Sequence, residues 1–216
     1  MEEKVKEAIE LLQNPKSSKR ESGAKKLRKL ESLEAGPALV QALQKEIKDS
    51  RTWSTQYHLI LAIGHSKYEA ALPILLELAK KNFEATILYL GLGDSIFRLS
   101  ILSNSIQDSL QQIYDFNNYM LIDGAFRALA LLQIVPDDAI IKEIFEKAID
   151  PKAVDFIQSY PNDPRGLRLW AAAASSGWKN ELKSSFLKDC DLIPDNALKF
   201  AVENSRKGKY VKWNPY

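Results

Sequence analysis

One cysteine, Cys190, and two histidines, His58 and His65, are all the thiol and imidazole in this chain of 216 residues. A lone cysteine excludes an intrachain disulfide and fits a reducing compartment. The two histidines are seven positions apart. On one helix they would stand about two turns, or roughly 10 Å, from each other. Metal–ligand distances are about 2 Å, so one ion could not bridge them. A helix end expected at Gly64-His65-Ser66 places His65 outside the helix altogether. No metal and no cofactor are expected. Long apolar runs are also missing, since no stretch approaches the roughly 20 residues of a membrane span. The N-terminal MEEKVKEAIELLQ lacks the basic start and continuous apolar run of a signal peptide. Net charge is only +2, so any electrostatic argument must rest on local asymmetry. These absences predict a soluble, cytoplasmic protein with no membrane partner.

Catalytic signatures are missing as well. There is no GxSxG, P-loop or GxGxxG. GLGDS (91–95) lacks the lysine and the spacing of a phosphate loop. It reads as a break or kink within a helical segment. Cys190 lies between Asp189 and Asp191, whose carboxylates raise rather than lower a thiol pKa, the wrong direction for a nucleophile. Asp137 and Asp138 follow Pro136 and read as charges at a helix N-terminus. No enzyme is expected.

What the chain does have is helical period. Apolar content is 45% and charged content 27%, ordinary for a globular protein. Val5, Ala8, Ile9 and Leu12 share one helix face, as do Leu39, Val40, Leu43 and Ile47, then Ile106, Leu110 and Ile113, and then Ile140, Ile141, Ile144 and Ala148. Short Gly-, Pro-, Asn- and Asp-bearing breaks separate them, among them 34–37, 64–66, 135–137 and 160–164. The fold class is all-α.

The helices repeat. GPALVQALQKEIK (36–48) and LPILLELAKKNFE (72–84) align on Pro37 and Pro73, an offset of 36 residues. A proline is best placed in the first turn of a helix. The preceding helices place a small or apolar pair about four residues after Arg20, Gln56, Arg127 and Arg168. These features resemble the HEAT-repeat family. Its first helix often carries Val-Arg, Ala-Ala and Leu-Gly, and its second opens on a proline. The resemblance is clear over 17–49 and 52–81, fair over 118–149 and 163–189, and degenerate around 84–100, where Arg98 sits too late in its helix for the usual slot. It implies an α-α superhelix, a right-handed solenoid of about five hairpins. The chain reads as one domain, 1–216, with a cap helix in 1–15, repeats over 16–190, and a cap helix and tail in 191–216. Gly23, Ala24, Ala62, Ala125, Ala171 and Ala172 would let helices approach closely.

Enzymes with HEAT-like folds exist, but the residues do not match. The di-iron hydroxylase branch uses His-Glu pairs, whereas His58 precedes Leu59 and His65 precedes Ser66. The DNA-glycosylase branch needs an aromatic catalytic stretch with an aspartate, and Trp53, Trp170, Trp178 and Trp213 are scattered.

The strongest charge asymmetry is KSSKRESGAKKLRKL (16–30), with seven Lys or Arg among fifteen residues. At about 100° per residue, Gly23, Leu27 and Leu30 share one side, with Arg20 and Ala24 near them. Lys25, Arg28 and Lys29 point the opposite way. They are an ordinary solvated face, a nucleic-acid contact or a contact for an acidic protein partner. Arg20 falls in the repeat's arginine slot and is expected to bond a neighbouring turn.

In the family the second helix of each hairpin lines the concave, partner-binding side. The resemblance therefore implies a groove lined by Gln41, Gln44, Lys45 and Lys48, then Glu77 and Lys80, then Gln111 and Asp115, then Lys142 and Glu146. It would run from mildly basic to acidic. Such a mixed surface suits a protein or peptide better than a polyanion. The tail SRKGKYVKWNPY either folds back over the last repeat or protrudes as a binding element. The reading is a non-catalytic protein-binding scaffold or adaptor, one form being an inhibitor or immunity-type protein. The alternative is a nucleic-acid binder resembling the HEAT-like glycosylases.

Overall fold

The structure is a computed structural model and describes residues 2–152 and 166–212. Among the described residues it is all-α, with no strand. The helices are α1 (Glu2–Leu11), α2 (Ser17–Leu30), α3 (Gly36–Glu46), α4 (Trp53–Ser66), α5 (Leu72–Ala79), α6 (Ile87–Ser100), α7 (Ile106–Tyr114), α8 (Tyr119–Leu132), α9 (Asp138–Ile149), α10 (Arg168–Ala174), α11 (Asn180–Cys190) and α12 (Asn196–Arg206). The chain forms two compact units, Met1–Ala125 and Phe126–Tyr216, and the boundary falls inside α8.

In the first unit the 36-residue offset has a geometric counterpart. α2 and α4 are followed by Glu31 and Lys67, both left-handed, with φ of 50° and 58°. Such a residue closes the last turn through its own N–H, here to Leu27 O at 3.0 Å and Gly64 O at 3.4 Å. A single 3-10 turn comes next, Leu33–Ala35 or Glu69–Ala71, ending on a buried alanine. Then α3 and α5 begin with Pro37 and Pro73 in their first turns, where the missing N–H leaves nothing unpaired. One step differs. Gly36 stands where the second hairpin has Leu72, because the Tyr68 ring crosses it; a Cβ at Gly36 would lie 2.2 Å from that ring.

α2, α4 and α6 pack side by side, with α1 against α2, α3 against α4, and α5 and α7 against α6. α6 is the centre of this unit, since every residue from Leu88 to Ser100 is buried. A helix buried all round must satisfy its polar side chains internally. Arg98 Nε accordingly donates to Asp94 Oδ1 at 2.7 Å, and Ser95 Oγ donates to the Ile60 carbonyl of α4 at 2.8 Å. Close approach makes this packing possible. A Cβ at Gly64 would lie 2.7 Å from Ser95 Cα. At the start of α8 the contact is tighter. A Cβ at Gly93 would lie 1.9 Å from the Leu121 carbonyl oxygen, and one at Gly124 2.2 Å from that of Leu90.

Two glycine-bearing stretches depart from what their sequence suggests. GLGDS neither breaks nor ends a helix, because α6 runs unbroken through it. Gly64 does not end α4, which continues to Ser66 and keeps His65 in its last turn. Glycine costs a helix about 1 kcal/mol relative to alanine. At Gly64 and Gly93 the contact with the next helix outweighs that cost.

The second unit is organised around α10. Ala171, Ala172, Ala173 and Ala174 are buried, and α10 packs against α9 and α12. Phe145 stacks on Phe186 with ring centres 4.3 Å apart. Trp178 is buried beside Phe145 and donates its Nε1–H to the Ile134 carbonyl at 2.9 Å. The Arg127 guanidinium lies 5.8 Å from the centre of the Trp170 ring. Lys183, only 3% exposed, donates to the carbonyls of Ser175 (3.0 Å), Ser176 (3.1 Å) and Ser205 (2.8 Å). An ammonium has three N–H donors, and here each meets a carbonyl near the C-terminus of α10 or α12, where helix dipoles favour a cation. Burial still draws its pKa below the usual lysine range. The tail folds back over this unit as far as it is described. Ser176 Oγ donates to the Lys209 carbonyl at 3.0 Å, the Tyr210 hydroxyl packs on Gly177, and Val211 is buried. Trp213 to Tyr216 and the break expected at 160–164 lie outside the described residues.

Three substitutions test these contacts. Gly93→Ala is expected to cost at least about 3 kcal/mol of stability, because a backbone carbonyl cannot step aside. Gly91→Ala, whose Cβ would first meet a Tyr57 ring carbon at 2.9 Å, is expected to cost less. Equal urea midpoints for the two would contradict this packing. Lys183→Met leaves three carbonyls without their donor and is expected to cost about 1–3 kcal/mol; an unchanged midpoint would show that the clamp adds nothing.

Candidate functional site

The two proline-led helices α3 and α5, with α7, form the surface on which the expected partner-binding residues of the first unit stand. Gln41, Gln44, Lys45, Lys48, Glu77, Lys80, Gln111 and Asp115 are all exposed. The structure brings several of them together. Gln44, Lys48 and Glu77 line a groove of about 780 Å³ between α3 and α5, with Ile47, Pro73, Ile74, Leu78 and Lys81. Lys80 and Asp115 line a second groove between α5 and α7, with Lys81, Tyr89 and Phe116. A third lies at the C-terminal end of α3 and holds Trp53 and Phe83, sharing Ile47, Lys48 and Lys81 with the first. The three grooves meet at Lys81. Lys45 turns elsewhere, into a cleft with Arg20 and Glu46. Gln111 Nε2 donates to Asp115 Oδ1 at 2.7 Å on α7. Lys142 and Glu146 are exposed on α9, in the second unit.

Sequence reasoning did not single out Lys81, Phe83 or the exposure of Trp53 on this face. Trp53 is 46% exposed at the first position of α4. Its polar neighbours in SRTWSTQ were the available signal.

The basic helix is α2. Arg20 bonds as its slot implied. Its Nε donates to Glu46 Oε1 at 3.0 Å, its Nη2 pairs with the same carboxylate, and its Nη1 donates to the Asn14 and Pro15 carbonyls at 2.8 Å each. Gln56, in the equivalent slot of α4, donates to the Glu46 carbonyl at 3.1 Å and to that of Asp49 at 2.7 Å. Both slot residues therefore secure the end of α3. Of the three candidate nucleic-acid contacts, Lys29 is exposed. Lys25 is paired with Glu21 one turn away, and Glu21 also accepts from Ser54 Oγ at 2.9 Å. Arg28 departs from the wheel, which put it on the solvated face. It is half-buried, and its Nε reaches His65 Nε2 at 3.4 Å, because α4 packs close along this flank of α2.

A polar seam thus runs between α2 and α4. Ser17 Oγ and Thr55 Oγ1 are 2.7 Å apart. Glu21 Oε1 lies 3.8 Å from His58 Nε2, and Glu31 Oε1 lies 3.3 Å from His65 Nδ1. Burial lowers the His58 pKa to about 4, helped by the charges of Lys25 and Arg28 and opposed by Glu21. Burial also lowers His65 to about 4, helped by Arg98 and Arg28 and opposed by Asp94 and Glu31. Both rings are neutral at pH 7, so the His65–Glu31 contact is a hydrogen bond rather than an ion pair, while Glu21 stands beyond hydrogen-bond reach of His58. Cys190 is buried, and burial pushes its thiol up to about 12. Its neighbouring carboxylates add only a smaller push in the same direction. Among the described residues no three His, Cys, Asp or Glu side chains converge in the manner of a metal site, and no helix is long and apolar enough to cross a membrane.

The histidines generate a pH dependence. Between pH about 4 and the unfolded value near 6.5, the unfolded chain binds protons that the folded chain refuses. Stability is therefore full above pH 6.5 and falls as the pH drops. With a discount for partial exposure, the loss from pH 7 to pH 5 is about 1 kcal/mol for each ring. The His58→Gln, His65→Gln double variant is expected to flatten this slope in urea titrations. An equally steep slope in the variant would place its origin elsewhere.

No family model matches the chain, and no curated protein is significantly similar to it in sequence.

Proposed function

We propose that this chain is a non-catalytic protein-binding scaffold or adaptor of the HEAT-like helical-repeat kind. It engages a protein or peptide through the face of α3, α5 and α7. The observation that carries this reading is the meeting of three grooves at Lys81. Their lining mixes lysines, carboxylates and amides with the apolar surfaces of Ile47, Ile74, Leu78 and Trp53, the composition of a protein interface with an apolar centre and a polar rim. The 36-residue correspondence from Glu31 to Pro37 and from Lys67 to Pro73 supports the repeat reading. Sequestering a toxin or an enzyme, as an inhibitor or immunity-type protein does, is one concrete form of such binding. The single buried thiol fits work in a reducing compartment such as the cytoplasm. A nucleic-acid role is less well supported, since Lys25 and Arg28 already engage Glu21 and His65.

Site-specific photo-crosslinking in the natural host tests the reading. A photoreactive residue at Gln44, Glu77 or Gln111 is expected to trap a protein, whereas the same residue at Lys26 or Lys29 on α2 is expected to trap little. Adducts confined to α2, or adducts that nuclease removes, would overturn it.

A further inference from the structure

The groove between α3 and α5 carries a local charge imbalance that the chain as a whole does not. Its one carboxylate, Glu77, is already neutralised by Lys80 through an ion pair one turn away. Its two lysines, Lys48 and Lys81, are exposed and make no ion pair among the described residues. They therefore leave an uncompensated positive charge along a groove whose floor is apolar, formed by Ile47, Ile74 and Leu78. The same two lysines and Ile47 continue into the neighbouring groove, where they outnumber its one carboxylate, Glu84, and where Trp53 stands 46% exposed. An exposed tryptophan beside an apolar floor is the kind of residue that dominates interface energies.

From this juxtaposition we propose that the α3/α5 groove binds an acidic peptide segment of a protein partner. Asp or Glu side chains of the segment meet Lys48 and Lys81, an aliphatic or aromatic side chain seats on Ile74 and Leu78, and a further part of the segment reaches Trp53 in the adjoining groove. The proposal rests on the reading of this face as a protein-binding surface and adds the chemistry of the partner. One feature favours a peptide over a nucleic acid. A phosphate backbone gains affinity from successive cations on one surface, whereas here only two lysines accompany an apolar floor of Ile47, Ile74 and Leu78. A peptide that joins acidic to apolar side chains fits both the cations and the floor.

The test is selection from a randomised peptide display library on the intact chain. Selected peptides are expected to carry Asp or Glu together with a Leu, Ile, Phe or Trp. Their affinity is expected to fall about tenfold or more in Lys48→Glu, Lys81→Glu, and to fall less in the milder Lys48→Gln, Lys81→Gln. Trp53→Ala is expected to weaken binding with little change in its salt dependence. Far-ultraviolet circular dichroism checks that each variant is folded, and the glutamine pair serves if the glutamate pair is not. Peptides that bind this face without acidic residues would overturn the inference and leave the protein-binding function standing. Enriched peptides indifferent to both lysine variants would overturn it too, as would a library that yields no binder. A single-stranded oligonucleotide that binds through Lys48 and Lys81 where acidic peptides do not would replace the peptide with a polyanion. The crosslinking at Gln44 and Gln111 reads the function independently, so the two failures can be told apart.

Discussion

Backbone meets backbone where α6 passes between its neighbours, and the first unit depends on that contact. A side chain at Gly93 or Gly124 would collide with a main-chain carbonyl of the facing helix. Backbone cannot rotate away as the end of a side chain can, so the spacing of α6 and α8 is fixed by these two positions. On its other side α6 meets α4 through Gly64 and Ser95, with the serine hydroxyl bonded to the Ile60 carbonyl. With α4 and α6 held at this distance, α3, α5 and α7 can rest only on the remaining sides of that pair. The grooves between α3, α5 and α7 follow from the spacing of the buried helices beneath them.

Charge is distributed with a division of labour. On α2 three cations are absorbed by the structure. Arg20 secures the end of α3, Lys25 meets Glu21, and Arg28 meets His65. On the α3/α5 face Lys48 and Lys81 have no such occupation among the described residues. The 16–30 stretch keeps exposed lysines too, Lys16, Lys19, Lys26 and Lys29. What distinguishes Lys48 and Lys81, just past the ends of α3 and α5 and 33 positions apart in the chain, is the apolar groove floor they share.

Much of the helical order was legible, and the reason is local. Pro37 and Pro73 can be read as first-turn prolines because their φ and missing N–H act within their own helices. The exposed positions Gln44, Lys48 and Glu77 follow from helical period alone. What was not legible depends on neighbours distant in sequence. Gly64 looked like a helix end because its contact with Ser95, 31 positions later, cannot be seen from within α4. GLGDS looked like a break for the same reason. Arg28 looked solvated because the wheel does not know where α4 lies. Lys183 carried no local signal either, since its carbonyl partners come from 7, 8 and 22 residues away. The Asp94–Arg98 spacing in GLGDSIFR is a fair helical ion-pair signal, but only the burial of α6 shows that this pair lies inside the unit.

The central claim is that the face of α3, α5 and α7 meets a protein while α2 meets solvent. Hydrogen–deuterium exchange of the chain, free and bound to its captured partner, tests this most directly. The account predicts slowed exchange over residues 36–48 and 72–86 with residues 17–30 unchanged. Protection concentrated on 17–30, with 36–48 and 72–86 unaffected, would contradict it.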